Sequence, residues 1–163
     1  MRVKICGITN LNQALTIADL GADSLGFICV KSSPRYIERQ KIKGIIPSLN
    51  SQVKKIGVFV NSSEKQIQEL VEETRLTGVQ LHGTESPEFC RNLRQLLPSV
   101  ELIKAIRVKN QASLLESKHY FNCVDTLLLD AYDPKMHGGT GKTLNWEILT
   151  TFNIPIPWLL AGG

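Results

Sequence analysis

The 163-residue sequence lacks the patterns that mark several common classes of protein. No apolar run approaches the roughly 20 residues that a membrane span needs, and we expect no secretory signal at the start of the chain. The four cysteines show no CxxC spacing and the three histidines are scattered, which argues against a zinc site and a disulfide framework. We therefore expect a reduced, cytoplasmic protein that binds no membrane and no metal.

Blocks of charge are also missing. The net charge is +4 without any basic run, so nucleic acid is a poor fit as a partner. A mild positive excess suits a small anionic substrate. Apolar residues make up 42% of the chain and charged residues 21%, which is ordinary for one globular domain with a real core.

What the sequence has is a regular alternation of short apolar runs and longer amphipathic segments. Runs rich in Val, Ile, Leu and Phe predict strands that are buried on both faces. The predicted strands are Val3–Cys6, Ser24–Cys29, Lys55–Val60, Val79–Leu81, Leu102–Val108, Thr126–Asp130 and Trp158–Ala161. The predicted helices are about Leu11–Leu20, Glu38–Ile46, Glu64–Thr74, Ser86–Leu97, Gln111–Ser117 and Leu144–Leu149.

Capping residues support these helices. Thr9 or Asn10 can cap the first one, and Gly21 stands where a left-handed residue often follows a helix. Ser86 and Pro87 make a favourable opening for the fourth, because proline suits the first helical position.

Strands and helices in alternation predict an α/β fold with parallel strands, because crossover connections are right-handed. Both an open doubly wound sheet and an eight-unit barrel fit this pattern. No GxGxxG follows the first strand, which weighs against the dinucleotide-binding sheet. We therefore predict a parallel (β/α)8 TIM barrel. Since only seven strands are visible, residues 1–163 are expected to form a single barrel domain that is C-terminally incomplete, truncated after the seventh strand.

In such a barrel the active site lies at the carboxyl ends of the strands. Cys6 ends the first strand and shares a strand face with Lys4, whose cation would favour the thiolate. Asp130 ends the sixth strand and is costly to bury there unless it is paired or reactive. The structural alternatives are a small buried thiol for Cys6 and a helix cap or Asx turn for Asp130. Asp125 and Asp133 are weaker acidic candidates, since Asp125 precedes that strand.

Two basic side chains complete this group. Arg35, in the loop after the second strand, can clamp a carboxylate with two parallel hydrogen bonds, or it is simply a solvated loop residue. His82, after the fourth strand, can act as a general acid or base, although shaping the pocket is the more common role.

Glycines follow the sixth and seventh strands. The run His137–Thr143 is not a P-loop, because Met136 stands where that motif needs glycine, and we interpret it as an active-site loop or lid. Gly162 and Gly163 follow the seventh strand, where backbone N–H groups of a barrel often hold phosphate.

Taken together, these motifs resemble the phosphoribosylanthranilate isomerase family of tryptophan biosynthesis. The matching runs are KICGIT at Lys4–Thr9, GADSLGFI at Gly21–Ile28, SPRYI at Ser33–Ile37, GVFVN at Gly57–Asn61 and VQLHG at Val79–Gly83, followed by IKAIRV, LLLDAY, HGGTGKTLNW and LLAGG. The resemblance implies an Amadori rearrangement of a phosphoribosyl arylamine, a small phosphorylated substrate. It also implies Cys6 as general base, Asp130 as general acid and Arg35 as the ligand of the anthranilate carboxylate, without any cofactor.

Members of the family continue beyond LAGG with a helix, an eighth strand and a final helix, and the loop after the eighth strand contributes to phosphate binding. We therefore expect weak or no turnover from residues 1–163 alone, and either a monomer or a homodimer. The alternatives are another phosphosugar-handling barrel enzyme, a nucleotide-binding protein that uses Gly139–Thr143, and a non-catalytic phosphate-binding fragment.

Overall fold

Residues 1–131 and 152–161 are described by the computed structural model. Within them, seven strands form one sheet whose order follows the chain, and every neighbouring pair is parallel. The strands are β1 (Lys4–Cys6), β2 (Ser24–Ile28), β3 (Lys54–Phe59), β4 (Gly78–Leu81), β5 (Glu101–Val108), β6 (Thr126–Ala131) and β7 (Trp158–Ala161). All seven predicted strands are confirmed, with ends that move by one residue at most.

Five helices connect the strands in this part of the chain. They are α1 (Leu11–Asp19), α2 (Arg39–Ile45), α3 (Glu64–Thr74), α4 (Pro87–Leu96) and α5 (Gln111–Ser117), and short 3-10 turns follow α2 and α5. The predicted helix at Leu144–Leu149 lies outside the described residues. No helix of the described ranges is long and apolar enough to cross a membrane.

The expected caps are present. Of the two candidates for α1, the side chain of Asn10 is the one that accepts a hydrogen bond from the backbone of Gln13, and Gly21 has a φ of 90°. Ser86 caps α4 in the same way, with Pro87 at the first helical position. Each side-chain oxygen satisfies a backbone N–H that the helix leaves without a partner.

The core has two layers, one on each face of the sheet. The larger layer lies between strands and helices and includes Leu25, Phe27, Val79 and Leu102. A smaller, separate cluster consists of Ile56, Ile103, Ala105 and Leu128, with Leu159 and Ala161 packed against it. Because side chains alternate along a strand, the smaller cluster marks the inner face of the curled sheet, and this face continues to the side chains at the strand ends.

Candidate active site

The strand register shows which terminal side chains share the inner face. Register partners in parallel strands point to the same side of the sheet. Cys6 pairs with Gly26, which in turn pairs with the inner residue Ile56. Asp130 lies two positions beyond Leu128, so it also points inwards. The thiol and the carboxylate therefore stand at the carboxyl ends of β1 and β6, on one face.

Lys4 and Cys6 extend over the same glycine of the neighbouring strand. A Cβ atom placed on Gly26 would lie 2.6 Å from Cys6 Sγ and 3.0 Å from Lys4 Nζ. A larger residue at this position would displace both side chains, so the glycine makes room for them. The expectation that they share a face is confirmed, and tuning of the thiol by Lys4 stays a prediction.

The other cysteines have a different environment. Burial raises the pKa of the Cys29 thiol to about 12, and it does the same for Cys90. Cys90 and Cys123 lie in the layer between strands and helices, and burial raises the pKa of Cys123 as well. These three thiols remain protonated at neutral pH and serve as small apolar groups.

Arg35 reaches Cys6 across a glycine. Its Nη1 donates a hydrogen bond to the carbonyl oxygen of Cys6 at 3.2 Å, and its own backbone N–H donates to the hydroxyl of Ser33. Gly7 has a φ of 94°, and a Cβ atom there would lie 2.7 Å from Arg35 Cδ. Gly7 is needed both for its backbone conformation and for the passage of the arginine.

Asp130 contacts His82, the residue directly after β4. His82 Nε2 lies 3.3 Å from Asp130 Oδ2, and the Asp130 side chain is only 9% exposed. On the other side of the imidazole, Gln80 Nε2 lies 2.7 Å from His82 Nδ1. Three polar side chains therefore form a line from β4 to β6. A carboxylate buried in this way keeps a hydrogen-bond partner, which removes much of the cost of burying it.

A buried ion pair lies behind this line, on the helix side of the sheet. Lys104 Nζ stands 2.9 Å from Glu85 Oε2, with both side chains at most 3% exposed. The ammonium also donates to the carbonyl oxygens of Leu81 and Gly83, and the carboxylate accepts from the backbone N–H groups of Asn61 and Gly83. The pair thus ties the β4 loop to β3 and β5, directly after His82.

The electrostatics of this pair are strong enough to reverse the effect of burial. Burial alone raises the pKa of the Glu85 carboxyl. The charge of Lys104, its hydrogen bond and the backbone donors of Asn61 and Glu85 outweigh that effect, and the net pKa of Glu85 is lowered. Glu85 is therefore ionised at neutral pH, as Lys104 requires.

Four of the six predicted site residues lie at this rim as two contacting pairs, Cys6 with Arg35 and His82 with Asp130. Gly162, Gly163, the run 137–143 and Asp133 lie outside the described residues. Asp125 lies at the opposite end, as expected, where it pairs with Arg94 and accepts from the backbone N–H of Leu102. Among the described residues, no three His, Cys, Asp or Glu side chains are grouped as metal ligands.

Sequence reasoning gave no role to Gln80, Glu85 or Lys104. Gln80 is the single polar side chain of β4, and Lys104 stands between the apolar residues Ile103 and Ala105 of β5, where a buried polar group requires a partner. That pattern could have pointed to both residues. No local pattern points to Glu85, because it lies in the loop after β4 and its partner, Lys104, is in β5.

Comparisons with known proteins show the family of the chain. A family model described as N-(5'-phosphoribosyl)anthranilate isomerase matches residues 3–163. The chain belongs to this family. It is therefore an isomerase of tryptophan biosynthesis. N-(5'-phosphoribosyl)anthranilate isomerase of Rippkaea orientalis is 56% identical over 163 residues, which are all of this chain and 76% of that relative.

Solved isomerases show the same fold. Phosphoribosyl anthranilate isomerase from Thermotoga maritima superposes with a TM-score of 0.90 at 35% identity, over all of this chain and 77% of that one. This confirms the predicted parallel β/α barrel. A second isomerase was solved in complex with reduced 1-(o-carboxyphenylamino)-1-deoxyribulose 5-phosphate. It matches with a TM-score of 0.74 at 38% identity, over 82% of this chain and 66% of that one.

Proposed function

We propose that this isomerase converts N-(5-phosphoribosyl)anthranilate into 1-(2-carboxyphenylamino)-1-deoxyribulose 5-phosphate, with Cys6 as general base and Asp130 as general acid. The observation that supports this assignment is the shared inner rim, where β1 presents a thiol and β6 presents a carboxylate held by His82. An Amadori rearrangement needs one group that gives a proton and one that takes a proton, placed around a single sugar.

The chemistry balances with these two groups alone. Asp130, as a carboxylic acid, gives its proton to the ribose ring oxygen while the bond from that oxygen to C1′ breaks. The nitrogen lone pair forms the C1′=N iminium. Cys6 thiolate then removes the proton from C2′, and the C–H electrons form the C1′=C2′ bond and neutralise the nitrogen. The resulting enolamine tautomerises to the ketone, so the whole conversion is an isomerisation.

Arg35 is proposed to hold the anthranilate carboxylate. Its guanidinium is exposed and uses one N–H group on the carbonyl oxygen of Cys6, which leaves other donors for a planar anion. Placed beside Cys6, it would bring the arylamine end of the substrate to the base. His82 is proposed to line the sugar pocket, and the backbone of Gly162 and Gly163 to hold the phosphate.

Two substitutions with matched controls test the roles of base and acid. Cys6→Ser and Asp130→Asn should each lower single-turnover rates by about 10²–10⁴-fold, the usual contribution of acid–base catalysis. Affinity for the reduced product analogue should stay within threefold, because neither change removes a contact of Arg35. Cys29→Ser and Asp19→Asn serve as controls and should keep parental rates. A near-normal rate for Cys6→Ser would remove the thiol from the mechanism, and a mild effect of Asp130→Asn would favour Asp133.

The substrate class is tested separately. The chain should act on the phosphoribosyl arylamine and not on simple phosphosugars, since Arg35 would find no carboxylate on the latter. Equal rates on both would favour a general phosphosugar isomerase. Turnover is followed by the loss of anthranilate fluorescence, with enzyme in excess over substrate so that a slow reaction remains measurable.

The 163-residue chain alone is proposed to turn over slowly. Within the described residues, β1 and β7 are at opposite ends of the strand order, so each has an unpaired edge. Unpaired edges favour association between chains. We expect a concentration-dependent elution volume in size-exclusion chromatography. A strictly monomeric chain with a rate typical of the family would contradict this expectation.

A further inference from the structure

The side chain of Gln80 has no role in the proposed reaction, yet it occupies the inside of the barrel. Gln80 is 2% exposed, on the inner face of β4 opposite Ile103. Its Oε1 is the single buried side-chain atom, among the residues that the structure describes, without a hydrogen-bond partner. A buried amide with one end unused is costly, so an apolar side chain would be expected there unless the amide acts on a neighbour.

That neighbour is His82. The amide nitrogen of Gln80 lies 2.7 Å from His82 Nδ1. An amide NH₂ group can only donate, so Nδ1 must accept. A neutral imidazole has one donor and one acceptor, and the ring proton must then be on Nε2. Nε2, at 3.3 Å from Asp130 Oδ2, donates to the ionised carboxylate.

The same three side chains can also be arranged in the opposite direction. A half-turn of the Gln80 amide exchanges its oxygen and nitrogen, which occupy nearly the same space. Oε1 would then accept from Nδ1–H. Nε2, now without a proton, would accept from a protonated Asp130 carboxyl. Because both directions use a neutral imidazole, His82 can remain bonded to Asp130 whether the carboxyl is charged or not.

We propose that Gln80 is a positioning residue whose amide pairs with either neutral tautomer of His82 and thereby keeps Asp130 hydrogen-bonded in both of its protonation states. The proposal rests on the proposed role of Asp130 as general acid, which must alternate between these two states. Gln80 moves no proton itself. The proton that leaves Asp130 goes to the ring oxygen of the sugar, and the ring proton of His82 exchanges with solvent between turnovers.

The tautomer can be observed without turnover. Long-range ¹H–¹⁵N spectra of the labelled chain distinguish protonated from unprotonated ring nitrogens, and His82→Gln assigns the signals among the three histidines. In the parent chain at pH 8, His82 should carry its proton on Nε2. In Gln80→Glu, a carboxylate faces Nδ1 and can only accept, so Nδ1 should also carry a proton while Nε2–H still donates to Asp130.

A matched control separates the effect of residue 80 on the His82 ring from the effect of an added negative charge. Gln95→Glu introduces the same charge on the exposed side of α4 and should leave the spectrum of His82 unchanged. If Nδ1 stays unprotonated in Gln80→Glu, or if the parent chain already has its proton on Nδ1, the proposal is overturned. These results do not depend on whether Asp130→Asn abolishes turnover, so failure of the proposal and failure of the proposed function remain distinguishable.

A second variant covers the case in which a buried glutamate prevents folding. Gln80→Met keeps the length and bulk of the side chain but cannot donate to Nδ1. Single-turnover rates should fall about 10- to 100-fold, while affinity for the reduced product analogue stays within threefold. An unchanged rate would overturn the proposal. A parallel loss of rate and affinity would show that Gln80 merely supports the pocket, and would overturn it too.

Discussion

The two ends of the same curled sheet use their polar side chains differently. At the amino-terminal end, Arg2 binds Glu101 through two nitrogens, at 2.5 and 2.9 Å. Neighbouring hydroxyls complete this hydrogen-bond network: Arg2 also donates to the hydroxyl of Ser24, and the hydroxyl of Thr126 donates to Glu101. At the carboxyl-terminal end, Gln80 keeps an unbonded oxygen and the guanidinium of Arg35 is exposed.

The two ends separate the groups that stabilise the fold from the groups that are available for chemistry. Polar side chains whose donors and acceptors are all paired with one another hold strands together, but they have no free donor or acceptor for a ligand. Groups with unused donors or acceptors contribute less to folding and can bind or react. Even at the carboxyl-terminal end, the Lys104–Glu85 pair follows the first pattern, because it lies behind the rim and contacts no open space. Substitutions at the two ends should therefore separate stability from activity.

Breaking the buried ion pair should have the largest effect on stability. Lys104→Met leaves Glu85 as a buried charge without its counter-ion. We expect the free energy of unfolding in urea to fall by about 3–5 kcal/mol. The double variant Lys104→Met/Glu85→Gln should recover part of that loss, because no buried charge remains. A single variant with parental stability would show that the pair is not part of the scaffold.

Gly7→Ala should have the next largest effect, and Gly21→Ala is its matched control. Both glycines have a φ near 90°, so an alanine at either position should lower stability by about 1–3 kcal/mol through backbone strain. Only at Gly7 would the new Cβ atom collide with Arg35, since nothing lies within 4 Å at Gly21.

Calorimetry with the reduced product analogue distinguishes the two glycine variants. Binding should weaken at least tenfold in Gly7→Ala and stay unchanged in Gly21→Ala, provided that Arg35 holds the carboxylate of the arylamine. Equal affinities for both variants would remove Arg35 from the binding site.

A smaller loss of stability is expected at the amino-terminal end. Glu101→Gln removes the charge that Arg2 binds, while the hydroxyl of Thr126 keeps an acceptor. Because Arg2 is partly exposed, we expect a loss of about 1–2 kcal/mol. Single-turnover rates and the tautomer of His82 should not change. A loss of rate that parallels the loss of stability would contradict the separation of the two ends.

Much of this arrangement could be predicted from sequence, because it depends on local patterns. Apolar runs fixed the strands within one residue, and strand ends brought Cys6 and Asp130 to one rim. Contacts across strands were not predictable in the same way. Nothing local shows that the carboxylate of Asp130 meets His82, directly after β4, since the curvature of the sheet decides which ends approach each other. The position of Arg35 over Gly7 was likewise not predictable from any local pattern.

The smallest expected effect concerns the pH dependence of stability at Glu85. Its folded pKa lies below the ordinary value of 4.5, so the stabilisation is complete above that value and is lost as the pH falls through the folded pKa. Unfolding free energies measured between pH 7 and pH 3 should therefore decline less steeply in Glu85→Gln than in the parent chain. Glu88→Gln, which removes an exposed carboxyl from α4, should keep the parental slope. If both variants have the same slope, the acid sensitivity of the fold comes from other carboxylates, and ionised Glu85 adds no pH-dependent stability.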